Sequence, residues 1–100
     1  WETACVAAAH AAGYVHVERK AQHGNVDKGD LTGIPGWTIE CKNEKTISLA
    51  AYMDELAVEK VNNGTTHGVA LVKRRGKSAG QGYAVMTVEA FFDLIKEAGW

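Results

Sequence analysis

One hundred residues, 46% hydrophobic and 23% charged with a formal charge of −1 at pH 7, describe one ordinary globular domain. That composition excludes a disordered chain, and a pI near 6.5 excludes blanket attraction to nucleic acid or an anionic membrane, leaving only local patches. No window approaches the ~18 apolar residues of a membrane span, and no signal peptide is visible, so no membrane partner is expected. The chain opens on Trp1 instead of Met, which leaves room for residues ahead of it. Cys5 and Cys41 stand far apart in sequence and favour a reducing, cytoplasmic compartment, although a single disulfide stays open. His10, His16, His23 and His67 lack zinc-ligand spacing, so the plain expectation is two small buried thiols and mostly solvated imidazoles.

Residues 2–12 are Ala-rich and end at Gly13, predicting a helix whose stripe of Cys5, Ala8, Ala9 and Ala12 sits close on a sheet. Tyr14, Val15 and Val17 predict a strand leading to Arg19, and residues 20–29 an exposed polar loop. Residues 30–33 and Trp37–Lys42 flank Ile34-Pro35-Gly36, a strong turn signal, and predict a β-hairpin. Leu49–Asn63 predicts the clearest helix, with Ser48 as N-cap, Gly64 after its end, and Leu49, Tyr52, Met53, Leu56, Ala57 and Val61 as its apolar face. Residues 67–73 and 83–87 predict two strands, and residues 88–98 a last amphipathic helix capped by Thr87. The resulting fold class is α/β, a mixed central sheet flanked by helices in the order α-β-β-β-α-β-β-α.

Strand alternation yields the sharpest chemical inference. In Trp37–Lys42 the side chains of Trp37, Ile39 and Cys41 point one way, and those of Thr38, Glu40 and Lys42 the other. If the hairpin turns about Pro35, Asp30 falls opposite Glu40, which brings two carboxylates within roughly 4.5–5.5 Å at Cβ. Such a pair repels unless a proton or a cation lies between its members, and a hard divalent ion such as Mg²⁺ suits oxygen ligands. Glu2, at the start of the inward stripe of the first helix, is either solvated or a further acidic group. Lys42 beside a metal-bound water suits nucleophile orientation or stabilisation of phosphorane charge. Metal, carboxylates and lysine together suit phosphodiester hydrolysis.

Gly29-Asp30-Leu31 and Ile39-Glu40-Cys41-Lys42 resemble the PD-(D/E)xK nuclease superfamily. The likeness extends through Glu2, Arg19, Gly33-Ile34-Pro35-Gly36-Trp37, Asn43 and Lys73-Arg74-Arg75-Gly76 to the small Holliday-junction-resolvase-like proteins of phages and actinobacteria. It implies a restriction-endonuclease-like fold and a Mg²⁺-dependent DNA endonuclease, with Mn²⁺ able to substitute. It also implies Asp30, Glu40 and the backbone carbonyl of Cys41 as metal ligands, Lys42 as the catalytic lysine, and Glu2 as an extra ligand or water-positioning group. Gly29 stands where the pattern has Pro. The implied substrate is a branched four-way junction; alternatives are another DNA structure (flap, end or duplex sequence) or a non-catalytic DNA-binding module. A junction resolvase nicks two strands symmetrically, which calls for a homodimer.

Residues 60–88 contain Lys60, Lys73, Arg74, Arg75 and Lys77 and no acid, so Lys73, Arg74, Arg75 and Lys77 are expected to contact phosphates. Arg19, Lys20 and Lys28 form a second basic arm. Asp27 reads as a loop residue that happens to lie near Asp30. Glu55 and Glu59 read as a solvated helix face, with a place near Glu40 as the smaller share. Trp37 is expected in the core. Gly76-Lys77-Ser78 is no Walker loop, because that motif needs glycine at Leu71, so no nucleotide cofactor is expected.

Overall fold

The computed structural model describes residues 1–21 and 26–100; the loop expectation for residues 22–25, His23 included, lies outside the described residues. The elements are α1 (Glu2–Ala11), β1 (Glu18–Arg19), β2 (Leu31–Thr32), β3 (Trp37–Lys42), α2 (Leu49–Asn63), β4 (His67–Val72), β5 (Tyr83–Val85) and α3 (Val88–Glu97), with one 3₁₀ turn at Ala79–Gln81. This is an α/β chain with a five-stranded mixed sheet in the order β1-β2-β3-β4-β5. All pairings are antiparallel except β3 with β4. Parallel neighbours need a crossover, and α2 supplies it.

The alternation of β3 divides the molecule into two layers. Ile39 joins Leu31, Val69, Val17 and Cys5 of α1 in one buried cluster. On the other side Tyr52 of α2 packs with Ala70 and Val72 of β4. Thr38 and Glu40 are buried on that second side. Polar groups so placed cost free energy unless they have partners. Thr38 has them: its Oγ1 lies 2.6 Å from Thr65 Oγ1 and accepts from Asn63 Nδ2 at 3.1 Å.

Several predicted edges move. Tyr14 and Val15 are exposed and precede β1. Their stretch is spent on turning: Tyr14 N–H donates to Ala9 O at 2.9 Å and Val17 N–H to Tyr14 O at 3.3 Å. Thr87 leaves the fifth strand because it caps α3, its Oγ1 accepting from Ala90 N–H at 3.1 Å. Ser48 precedes α2 without a side-chain cap bond, and Gly64 ends that helix in the left-handed conformation at φ 68°. The buried face of α2 is Tyr52, Leu56 and Glu59, so the expected stripe is rotated: Leu49 and Val61 are exposed. Trp37 is half-buried against the first cluster and stacks on His67 with centroids 4.8 Å apart.

Gly33 is where the hairpin crosses the segment leading into β1. Its φ is +111°, and a Cβ there would lie 2.2 Å from His16 O. Gly36 has φ +84° but open space around it. Chemical denaturation should therefore separate the two: Gly36→Ala should cost about 1–2 kcal/mol for the left-handed backbone alone. Gly33→Ala should cost more than about 3 kcal/mol, because strain and a backbone clash add. Equal costs would mean that the close crossing is absent.

Candidate metal centre

β3 carries the centre. Its side facing α2 presents Thr38, Glu40 and Lys42 in turn. β2 meets β3 in the register Leu31↔Ile39, which carries Asp30 to the level of Glu40. The ladder gives way there: Asp30 N–H donates to Ile39 O at 2.8 Å, while Cys41 N–H donates to Asp30 Oδ2 at 2.8 Å. The carboxylate thus replaces a backbone acceptor and pins β3 at Cys41. Gly29 is buried at φ +97°, and a Cβ on it would sit 3.0 Å from Thr38 Cγ2 and 3.1 Å from Ile39 O. The glycine lets the loop press against β3 and delivers Asp27 and Asp30 to the centre.

Glu40 is 4% exposed. Its pKa is pushed up to about 10, first by burial and then by the carboxyls of Asp30 and Glu59 beside it. Glu59 of α2 is 3% exposed. Burial raises its pKa to about 7; neighbouring Asp27 and Asp30 add to the rise, and its contact with Glu40 works against it. Glu40 Oε1 and Glu59 Oε2 are buried without a hydrogen-bond partner. Asp27, Glu40 and Glu59 each offer one oxygen within 4.8 Å of the others, and Asp27 forms the exposed side of the group. An all-oxygen set with unpartnered buried oxygens fits a hard divalent ion, which would satisfy them.

Lys42 is the adjoining cation. Its Nζ lies 3.8 Å from Glu40 Oε2, donates to Glu55 Oε2, and sits 5.2 Å above the centre of the Tyr52 ring. Burial works against its charge, but Glu55, Glu40 and Glu44 outweigh it, so its pKa stays above the ordinary lysine value. At neutral pH Lys42 is therefore an ammonium, suited to holding an anion or orienting water and unsuited to taking a proton.

The other predicted residues fall into place around this centre or away from it. Glu2 begins α1, which covers the opposite side of the sheet, and its carboxylate pairs with Arg19 at 3.4 Å. Among the described residues, the carboxylate group within mutual reach of one ion is Asp27, Glu40 and Glu59 and includes neither Glu2 nor Asp30, whose Oδ2 is taken by Cys41 N–H. The Cys41 thiol faces the Cys5 thiol on the α1 side; both cysteines are free, and the contact lowers the Cys5 pKa and raises that of Cys41. Lys73 N–H donates to Lys42 O at 2.9 Å, so the loop with Arg74, Arg75 and Lys77 leaves the sheet at the Lys42 end. Arg74 lies over the Tyr83 ring at 6.0 Å. Lys20 Nζ donates to Asn63 Oδ1 at 2.9 Å and to Lys28 O at 3.4 Å, while Lys28 is exposed. An apolar cavity of about 470 Å³ lies on the α1 side between Trp1, Trp37 and Tyr83, away from these charges.

Two expectations are corrected here. Glu59 is a buried member of the cluster and no solvated helix face, whereas Glu55 is exposed as expected and also pairs with Lys42. Asp27 is one of the three grouped carboxylates instead of a bystander. The Glu59 signal lay in the spacing 52-56-59-63, which repeats at helical intervals from the buried Tyr52. No protein-family model, curated protein or solved structure matches the chain.

The raised carboxyl pKa values fix a pH dependence. Unfolded Glu40 ionises near 4.5 and the folded group near 10, so the folded state holds an extra proton between these values. Its contribution is complete below pH 4.5 and declines as pH rises toward 10. With EDTA present, stability from urea unfolding should fall by about 1–3 kcal/mol between pH 6 and 8.5. Glu40→Gln should flatten that fall, and an unchanged slope in the variant would place the titration elsewhere.

Proposed function

We propose that this chain is a Mg²⁺-dependent DNA endonuclease of the restriction-endonuclease-like, PD-(D/E)xK type, acting on branched four-way junctions. The observation that carries the proposal is the convergence of buried Glu40, Asp30 and a cationic Lys42 on one side of β3. Asp30 and Glu40, with the carbonyl of Cys41, would hold the ion, and Mn²⁺ would substitute for it. Mg²⁺ at such a site supplies Lewis-acid polarisation of a phosphate oxygen and a lowered pKa for bound water. The chain's own residues do the rest. Glu40, buried between the sheet and α2, and half-buried Asp30 bring carboxyl oxygens to one place, where Glu40 would become anionic on giving up its proton to make room for the ion. The Lys42 ammonium, braced by Glu55 and the Tyr52 ring, lies where it can donate to a non-bridging phosphate oxygen as charge builds.

The basic loop at the Lys42 end suits phosphate contacts that position the backbone without reading sequence. It reconciles DNA binding with a net charge of −1. The junction as substrate is supported by the resemblance of the Gly29-Asp30-Leu31, Gly33-Ile34-Pro35-Gly36-Trp37 and Lys73-Arg74-Arg75-Gly76 segments to resolvase-like proteins. A homodimer belongs to the same proposal, since paired nicks need paired sites. Val88, Phe91 and Phe92 of α3 stay exposed, an apolar patch of the kind that marks an interaction surface. No helix among the described residues is long and apolar enough to cross a membrane. The two free thiols accord with a cytoplasmic location.

A labelled four-way junction, incubated with Mg²⁺ beside matched duplex and flap substrates, tests the reading. The wild-type chain should cut the junction in preference to the duplex. Glu40→Gln and Lys42→Ala should each retain junction binding and lose at least about a hundredfold in cleavage rate, on the scale of removing an electrostatic stabiliser. Preferential cutting of the flap would move the substrate within the nuclease class. Tight binding without cutting in Mg²⁺ or Mn²⁺ would mark a non-catalytic DNA-binding module.

A further inference from the structure

We propose that Asp27 and Glu59, together with Glu40, form a divalent-cation seat of their own, so that α2 and the loop before β2 supply metal ligands alongside the Asp30 side of the centre. The inference deepens the nuclease reading and rests on it only for the use to which the ion is put. Its first support is position: one oxygen from each of the three carboxylates falls within 4.8 Å of the others. Octahedral Mg²⁺ with bonds of about 2.1 Å sets neighbouring oxygens about 3 Å apart and opposite ones about 4.2 Å apart, so the group need close by under about 2 Å.

The second support is independent of clustering. Glu40 and Glu59 are both more than nine-tenths buried, and Glu40 Oε1 and Glu59 Oε2 have no donor. A buried oxygen without a donor is destabilising; a proton shared by Glu40 and Glu59 relieves the pair, and a cation that displaces that proton would satisfy both oxygens. Lys42 does not fill that role: its Nζ lies 3.8 Å from Glu40 Oε2, the other oxygen, and is engaged by Glu55. The ligands also come from fixed elements. Asp27 Oδ1 accepts from Gly29 N–H at 2.9 Å, and Asp27 O accepts from Asn62 Nδ2 of α2 at 3.0 Å. Asn63, the next residue of α2, donates to Thr38 on β3. Loop, helix and strand are thereby tied together around the three carboxylates. Asp27 is exposed, which leaves the remaining coordination positions to water or to a phosphate oxygen.

Mn²⁺ titration of the metal-free chain without DNA, followed by electron paramagnetic resonance, tests the seat. Glu59→Gln and Asp27→Asn should each weaken Mn²⁺ binding at least tenfold, while Glu89→Gln, an exposed acid on α3, should bind as the wild type does. Circular dichroism melts check folding: Mn²⁺ should raise the wild-type midpoint and leave that of Glu59→Gln nearly unmoved at the same concentration. Wild-type affinity in both Glu59→Gln and Asp27→Asn would overturn the seat, whatever the cleavage assay shows. A seat that binds Mn²⁺ as described in a chain that never cuts DNA would uphold this inference and count against the nuclease reading alone.

Discussion

The Glu40 carboxyl is held between a sheet and a helix, where Oε1 is buried without a hydrogen-bond donor. Burying a carboxylate in this way is expensive, and placing Asp30 and Glu59 beside it makes it more so. A chain selected only for stability would place an apolar residue here, opposite Ala70 in the parallel register of β3 with β4. Much of the neighbouring architecture serves to hold this unfavourable group in position. β3 is paired on both edges, Asp30 pins it at Cys41, and α2 closes over it with Tyr52 and Leu56.

That constraint explains the division of labour between the two sides of the sheet. The α1 side is apolar and carries the larger hydrophobic cluster. The α2 side has a small apolar cluster and gives the remaining space to carboxylates, Lys42 and the Thr38–Asn63–Thr65 hydrogen bonds. Lys42 then has a defined electrostatic part. Its ammonium offsets some of the negative charge from one flank, while the oxygens on the other flank stay open to a cation. The parallel pairing of β3 with β4 also sets the basic loop beside Lys42, because both strands end at the same edge.

The sequence exposed the parts of this that depend on short periods. Alternation in Trp37–Lys42 separated Glu40 and Lys42 from Ile39 and Cys41, and the turn about Pro35 set the index sum that the Leu31↔Ile39 pair carries. Helix α2 was legible over its full length because its ends carry clear signals. Its buried face was not. An apolar count picks Leu49 and Val61, whereas the structure buries Glu59, whose signal is its helical spacing from Tyr52 and Leu56 and not its hydrophobicity. Asp27 was obscured for a different reason: its place depends on a loop held by Gly29 and Asn62, contacts that local spacing does not encode. Glu2 stands on the inward stripe of α1, where its carboxylate pairs with Arg19.

If the buried carboxyls are a cation seat, they must give up a proton when the ion arrives, because at neutral pH Glu40 holds one. Calorimetric titration of Mg²⁺ into the protein at pH 7.5, repeated in buffers of different ionisation enthalpy, measures that directly. The account predicts saturable binding with release of about one proton per chain. Binding that releases none, or no binding at all, would contradict it.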